Sequence, residues 1–226
     1  VLAEDSSLTN PNISAVLDGY YQSGDRPMSE RVEGFGLGET ELAISANIDD
    51  MFYGKMTAVL ASHDGETEVE LEEAFIQTMG LPEGLSVRAG RFLSDVGYLN
   101  NQHLHTDSFA DRPAAYRAFL GGHYFDDGLR VSIVAPTDIY WNLGFEATGS
   151  GNRYNDAANL FNIPGYIKTN LFADYQINKN LTMNARVDNV LGKNYTYAYE
   201  GNPTTDGFRY QTPSQSFFIS LRYEPQ

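Results

Sequence analysis

Apolar and polar residues alternate one by one along Leu181-Thr182-Met183-Asn184-Ala185-Arg186-Val187-Asp188. The same period of two recurs in residues 216–223, 139–147 and 41–48. Successive side chains of a β-strand point to opposite faces, so this pattern predicts strands with one apolar and one polar face. No segment has a convincing helical period, and Gly, Asn, Asp and Pro interrupt the chain at short intervals. The fold is therefore predicted to be all-β.

About twelve strands are expected, and many of them have the roughly 9–11 residues that cross a bilayer at a tilt. They lie near residues 12–21, 38–48, 52–61, 68–78, 85–93, 115–125, 128–135, 138–147, 166–177, 180–190, 194–200 and 214–223. The fourth strand is the least regular, because the pair Glu72-Glu73 interrupts its alternation. A β-bulge at this pair would restore the register.

The composition favours a membrane barrel over a helical membrane protein. The chain has 226 residues and a mean hydropathy of -0.37, and no apolar run approaches the roughly 18 residues of a membrane helix. In a transmembrane barrel only every second strand residue faces lipid, so the mean hydropathy stays low. With 15 basic and 30 acidic residues the net charge is -15, which argues against a nucleic-acid partner. The absence of cysteine excludes thiolate nucleophiles and disulfides.

The connection lengths predict short periplasmic turns and longer extracellular loops, as in bacterial barrels. If the N-terminus is periplasmic, the outer connections include the long segments 22–37 and 94–114. The periplasmic connections include the short turns Asp49-Asp50-Met51 and Asp126-Asp127. One long connection, 148–165, falls on the periplasmic side and breaks the pattern.

Four stretches near the C-terminus carry a family resemblance. They are Ile163-Pro164-Gly165-Tyr166, Leu171-Phe172-Ala173-Asp174-Tyr175, the run from Ala185 to Tyr195, and Thr212-Pro213-Ser214-Gln215-Ser216-Phe217-Phe218. In these stretches residues 163–223 resemble the C-terminal end of TonB-dependent outer-membrane transporters. The resemblance implies a barrel in the bacterial outer membrane, in contact with lipid and inserted by the barrel assembly machinery. Members of that family also carry a plug domain and a TonB-contact segment.

The first strand is predicted to begin near residue 12, which leaves no room for a plug domain or a TonB-contact segment before it. Coupling to TonB is therefore not expected from this sequence.

A second resemblance covers residues 10–147. It is carried by the segment from Gly90 to Asn100, by His103-Leu104-His105, and by Tyr116-Arg117-Ala118-Phe119-Leu120-Gly121-Gly122. This part is similar to a porin-like group of proteobacterial outer-membrane proteins that are described as zinc-regulated receptors.

The two resemblances meet at residues 148–163, where the connection pattern also fails. We therefore expect a single barrel domain over 1–226, with porin-like strands in 1–147, a join at 148–163 and receptor-like strands in 164–226. Gly149-Ser150-Gly151 fits a join between two barrel fragments, natural or engineered, and it equally fits an ordinary loop.

A metal site is the candidate chemistry of the outer loops. In an extended segment His103 and His105 point to the same side, and Asp107 continues that side, so the three could bind Zn²⁺. Three residues of another outer loop could add ligands: His63, Asp64 and Glu66. The alternative is a hydrated loop whose histidines bind nothing. No other cofactor is expected.

Charged residues on the polar strand face are candidates for lining the lumen. The basic ones are Arg88, Arg117, Arg130, Lys168, Arg186 and Arg222, and the acidic ones are Glu41, Glu146, Asp174 and Asp188. Opposed rings of charge can line a permeation path and set ion preference. The same residues can instead pair across strands and fill a narrow lumen with salt bridges.

No arrangement of residues fits catalysis, because the serines lack a nucleophile elbow and the Gly-x-Gly segments lack a strand-to-helix context. An enzyme is not expected. Two functions remain: passage or uptake of small solutes or metal ions, or a structural or chimeric barrel with a closed lumen.

Overall fold

The structure is a computed structural model that describes residues 9–24, 29, 31–63, 66–94, 99–114, 117, 124–154, 161–200 and 207–225. The chain divides into two compact units, one formed by residues 1–81 and 88–126 and the other by residues 82–87 and 127–226. Among the described residues, no helix has the length and apolar composition required to cross a membrane.

The first unit contains an antiparallel ladder in the order β1-β4-β5-β6-β7. Its strands are β1 (Asn12–Val16), β2 (Gly19–Gln22), β3 (Gly34–Leu37), β4 (Thr40–Asn47), β5 (Phe52–His63), β6 (Glu66–Thr78) and the part of β7 (Leu85–Leu93) that begins at Arg88. Strands β2 and β3 form a separate hairpin within the connection from β1 to β4. A short 3-10 turn covers Leu104–Thr106.

The second unit contains a ladder in the order β8-β9-β12-β13-β16. The strands are β8 (Phe125–Val134), β9 (Trp141–Ser150), β10 (Arg153–Tyr154), β11 (Asn162–Ile163), β12 (Tyr166–Asn178), β13 (Leu181–Asp188), β14 (Thr196–Glu200), β15 (Phe208–Gln211) and β16 (Ser216–Tyr223). Two small antiparallel pairs, β10–β11 and β14–β15, lie within its connections. The predicted antiparallel all-β fold is confirmed.

Among the described residues ten strands form these ladders, where about twelve were expected. The predicted strand 12–21 is divided into β1 and β2, and the predicted strand 194–200 belongs to the β14–β15 hairpin instead of the main ladder.

The predicted strand 115–125 is wrong at Arg117, and residues 115–116 and 118–123 lie outside what the structure describes. Arg117 is helical, and its backbone N–H donates to the carbonyl of Pro113 four residues earlier at 3.3 Å. Proline is favoured in the first turn of a helix, where its missing N–H is not needed. The predicted turn at Asp126-Asp127 is also wrong, because both residues belong to β8 and Asp127 pairs with Gly149.

The described ladder strands show an alternation of connection lengths. Counted over these strands, the even-numbered connections are 48–51, 79–84, 135–140 and 179–180, all short. The odd-numbered ones are 17–39, 64–65, 94–124, 151–165 and 189–215, and four of these five are long. In this count the connection after β9 falls among the long ones.

The predicted bulge in the fourth strand is confirmed. Thr57 of β5 pairs with Glu73 of β6, and the next residue, Ala58, pairs with Leu71. Glu72 is therefore the extra residue of the bulge. Its consequence is that Glu72 and Glu73, although adjacent, are both buried.

Burial in both ladders is inverted relative to a water-soluble sheet protein. Phe217 and Ile219 of β16 are 72% and 76% exposed. The buried side chains of the ladder strands include some large apolar ones, such as Phe75, Phe92 and Phe172, but more polar ones: Glu41, Thr57, Glu72, Glu73, Glu146, Thr148, Lys168, Asn170 and Arg186. Exposed apolar residues recur on the other ladder strands: Leu42, Met56, Leu60, Ile76, Leu143, Phe145 and Leu171. Soluble sheets place the apolar face inside, so this surface is suited to an apolar surrounding.

Candidate functional site

Four carboxylates and two histidines form a buried group in the first unit, which we call the Glu–His cluster. Its members are Glu39 just before β4, Glu41 in β4, Glu72 and Glu73 at the bulge of β6, and His103 and His105 in the connection after β7. All four carboxylate residues are buried. The two imidazole rings are stacked, with centroids 5.8 Å apart and an angle of 14° between their planes.

His103 lies between the two carboxylates of the bulge. Its Nδ1 is 3.0 Å from Oε2 of Glu72, and its Nε2 is 3.1 Å from Oε2 of Glu73. Nδ1 also lies 3.3 Å from Oε2 of Glu41. The bulge makes this arrangement possible, because in a regular strand adjacent side chains point to opposite faces.

His105 lies beside the two carboxylates of β4. Its Nδ1 is 3.4 Å from Oε2 of Glu39 and 3.3 Å from Oε2 of Glu41. Its backbone N–H donates to the same Glu39 oxygen at 2.8 Å. The carboxylate of Glu39 is thereby fixed by the segment that carries the histidines.

Two side chains of β5 complete the surroundings of Glu73. The ammonium group of Lys55 forms an ion pair with Oε2 of Glu73, and the hydroxyl of Thr57 donates to the same oxygen at 3.1 Å. Thr57 is opposite Glu73 in the ladder, so the strand register sets this contact.

The carboxylates change the protonation of His103. Burial by itself lowers the pKa of an imidazole, but hydrogen bonds to Glu72 and Glu73 and the negative charges of Glu41 and Glu73 outweigh burial and raise the pKa of His103 to about 10. His103 is therefore an imidazolium at neutral pH, and both of its ring nitrogens donate to carboxylates.

Asn100 holds the connection that carries the histidines. Its side-chain amide donates to the carbonyls of Ser94 at 2.6 Å and Tyr124 at 2.7 Å, and its carbonyl oxygen accepts from the N–H of Tyr124 at 2.7 Å. The backbone of Ser94 also donates to Tyr124 at 3.1 Å. These bonds join the two ends of the connection and fix the base of the segment that holds His103 and His105.

The metal-site prediction is changed in its third residue. His103 and His105 lie together as expected, but both oxygens of Asp107 accept from the guanidinium of Arg112, at 2.6 and 3.2 Å. Asp107 therefore does not join the histidines. The side chains of His63 and Glu66, and all of Asp64, lie outside what the structure describes.

Sequence reasoning missed three members of the cluster. Glu39, Glu72 and Glu73 are more than 25 residues from the histidines, so their contacts are not visible as a local motif. The pair Glu72-Glu73 was one signal in the sequence, because a bulge at two adjacent charged residues can turn both side chains to the same face of the strand.

A second buried polar network lies in the second unit and contains four of the predicted lumen residues. Glu146 of β9 is 0% exposed and accepts from Nε of Arg130 at 2.7 Å and from the guanidinium of Arg186. Asp188 accepts from Nε of Arg186 at 2.6 Å, and Asn170 donates to Glu146 at 3.4 Å. Arg130 and Glu146 are paired across neighbouring strands, Arg186 reaches Glu146 from the strand beyond β12, and Arg186 and Asp188 are paired within β13.

The remaining predicted lumen residues are dispersed. Arg88 donates to Gln77 at 2.8 Å, and its guanidinium lies 4.3 Å from the ring centroid of Phe75. Lys168 is buried on β12. The other two lie elsewhere: Arg117 donates to the carbonyl of Arg112 from the helical turn, and Arg222 forms an exposed pair with Glu224. The lumen assignment of these residues stays a prediction.

Asp174 of β12 is the centre of a small amide ladder. It accepts from Asn142 of β9 at 2.9 Å and from Asn184 of β13 at 2.5 Å. All three residues occupy the same level of the register, which explains why they meet.

The comparisons with known proteins agree with this architecture. Residues 81–190 match the family described as TonB dependent receptor-like, beta-barrel. The matched range includes residues 148–163, where the sequence analysis predicted a join, and it also includes most of β7 to β13.

Similar proteins include one relative by sequence and one solved structure. An uncharacterized protein of Aquifex aeolicus (strain VF5) is 32% identical over 178 residues, which are 76% of this chain and 37% of that protein. The chain thus spans a little over a third of the length of this relative. The crystal structure of BauA, the ferric preacinetobactin receptor from Acinetobacter baumannii, has a TM-score of 0.41 and 15% identity, and the match covers 94% of this chain and 33% of that one.

Antiparallel ladders, apolar residues on the exposed face and the match to residues 81–190 lead to one conclusion. The chain resembles the β-barrel of TonB-dependent receptors.

Proposed function

We propose that the chain is part of a bacterial outer-membrane β-barrel through which small solutes or metal ions are taken up. The single observation that carries this proposal is the inverted burial of the ladders, in which charged side chains are buried and large apolar side chains are exposed. Exposed apolar strands are stable only when lipid or detergent covers them. The family resemblance adds uptake as the role of such a barrel.

The proposed role is transport and not catalysis. Partners of the complete protein would be outer-membrane lipid around the apolar face, the barrel assembly machinery during insertion, and TonB as the energy-coupling partner that the family name implies. Nucleic acid is not a partner of a chain with a net charge of -15.

A closed structural barrel is the second candidate, and one observation favours it. The charges around Glu146 are paired with one another, across strands and within β13, instead of being left to line an open path. A lumen filled by such pairs conducts poorly, whereas the Glu–His cluster keeps four carboxylates together and suits the passage of cations.

Planar-bilayer recording tests the proposal and separates the two candidates. The chain is refolded in detergent and added to a bilayer between solutions of different potassium chloride concentration. We expect discrete conductance steps and a reversal potential that indicates cation preference. Insertion without conductance would support the closed barrel. A chain that stays monodisperse in water without detergent and does not enter vesicles would overturn the membrane proposal itself.

A further inference from the structure

We propose that Glu39, Glu41 and His105 bind one divalent first-row transition cation, with Zn²⁺ as the representative ion. This inference rests on the proposed uptake function and deepens it, because it names the class of solute that the barrel binds.

Glu41 supplies the first observation. Its side chain is 7% exposed and its Oε2 points into the cluster, 3.3 Å from Nδ1 of both histidines. Within the described part of the chain, however, this oxygen has no hydrogen-bond partner. A buried carboxylate oxygen that lacks a hydrogen bond has lost its water partners without replacement, which is destabilising. A cation bound beside this oxygen would remove that cost.

His105 supplies the second observation. Its Nδ1 is also buried and has no hydrogen-bond partner among the described residues. It lies only 3.3 Å from Oε2 of Glu41, so distance does not prevent a bond between the two atoms. Their mutual angle must be unfavourable for a hydrogen bond. Two such atoms can instead direct their lone pairs to a common third point, as metal ligands do.

The spacing of the donor atoms fits one small cation. Ligands at about 2.0–2.1 Å from Zn²⁺ in tetrahedral geometry lie roughly 3.3 Å from one another. The Nδ1 of His105 is 3.3 Å from Oε2 of Glu41 and 3.4 Å from Oε2 of Glu39. One ligand atom of each of the three residues lies within 4.8 Å of the others. A small closure of the two carboxylates would complete three corners of a tetrahedron.

Donor chemistry decides the class of cation. An imidazole nitrogen together with carboxylate oxygens suits Zn²⁺ and neighbouring transition ions, whereas Mg²⁺ and Ca²⁺ prefer oxygen ligands alone. Two carboxylates balance the charge of a divalent ion and not of a monovalent one. The fourth position is left for water, which suits an ion that binds and leaves again.

The remaining members of the Glu–His cluster, Glu72, Glu73 and His103, support the proposed site. Glu72 and Glu73 already have hydrogen-bond and ion-pair partners within the protein, His103 and Lys55. We therefore assign His103 as a positioning residue. It keeps Glu41 in place beside His105, because its Nδ1 lies between the oxygens of Glu41 and Glu72.

Isothermal titration of the detergent-folded chain with Zn²⁺ tests the site. We expect one ion per chain. Glu41→Gln and His105→Asn should each weaken binding roughly tenfold or more, because loss of even an outer partner of a metal site costs about 10–100-fold. Glu70→Gln is the matched control, since Glu70 lies on β6 two residues from Glu72 but its side chain is exposed.

X-ray absorption of the Zn²⁺-loaded parent chain gives a second measurement that needs no variant to fold. The expected first shell contains one imidazole and at least two oxygens at about 2.0–2.1 Å. Identical isotherms for the parent and both cluster variants, a shell made of water alone, or no binding to the folded parent would overturn the proposal.

The failure of this inference is distinguishable from failure of the proposed function. A chain that conducts in bilayers but does not bind Zn²⁺ would overturn only the metal site. A chain that binds Zn²⁺ at Glu41 and His105 but does not enter vesicles would overturn the membrane function and not the metal site.

Discussion

Replacing Glu146 with Gln should lower the free energy of unfolding by about 3–5 kcal/mol. The carboxylate is fully buried and accepts from the guanidinium groups of Arg130 and Arg186. Gln keeps one acceptor oxygen and turns the other position into a donor that faces a cation. Two charge-assisted hydrogen bonds, at about 1.5–3 kcal/mol each, are therefore weakened or lost. Arg186, itself buried, is left with Asp188 as its acidic partner among the described ion pairs.

Equilibrium unfolding by urea in detergent, followed by tryptophan fluorescence, measures this loss. Trp141 is the single tryptophan and lies on β9, the strand that carries Glu146. The matched control is Glu224→Gln, the same chemical change in the exposed Arg222–Glu224 pair, which should cost about 0–1 kcal/mol. Equal losses in the two variants would refute the reasoning, because they would mean that solvent screens Glu146 as fully as it screens Glu224.

Three further predictions concern the exposed apolar face of β16, the backbone at Gly90 and the connection that carries the histidines. Ile219→Arg, on the exposed apolar face near the middle of β16, should cost about 2–4 kcal/mol in lipid, and Ser220→Arg on the other face should cost less when folding into vesicles is measured. Gly90→Ala should destabilise by about 1–3 kcal/mol, because Gly90 has φ +126° and a Cβ there would lie 2.2 Å from the carbonyl oxygen of Ala74, whereas Gly151→Ala should be neutral in the same urea assay. Asn100→Ala removes three hydrogen bonds to the backbone of Ser94 and Tyr124 and should weaken both stability and Zn²⁺ binding; unchanged binding would show that these bonds do not position His105.

Most of the strands could be predicted from sequence because their signal is local. The period of two specifies which residues share a face, and β7 was predicted with the bounds that it has, Leu85–Leu93. The same local reasoning located the bulge in β6, because two adjacent charged residues interrupt the alternation of apolar and polar residues in a regular strand.

The predicted strand 115–125 was wrong at Arg117 for a local reason as well. Pro113 followed by alanine at position 114 favours a helical turn, and this start signal was not weighed against a short apolar alternation. This strand also decided on which side of the barrel every later connection was placed. In a count of the described ladder strands, 148–165 is no longer an exception, and the join stays a prediction.

The site was predictable only in part. His103 and His105 are two residues apart, so their proximity could be read from the sequence, whereas their carboxylate partners come from other strands. Asp107 continues the same spacing, but its carboxylate accepts from the guanidinium of Arg112, five residues later. Spacing along the chain cannot decide between two competing partners, because that choice depends on how the connection folds.

The bulge in β6 has a consequence for how such a site arises and disappears. One extra residue, Glu72, brings a second carboxylate to the buried face. The residues of β6 on either side of the bulge still pair with β5. An in-frame deletion of a single codon would therefore remove one member of the Glu–His cluster and leave a regular, better-paired strand. A related gene that lacks the cluster would differ here by a one-residue gap, and counting substitutions between the two sequences would miss the change.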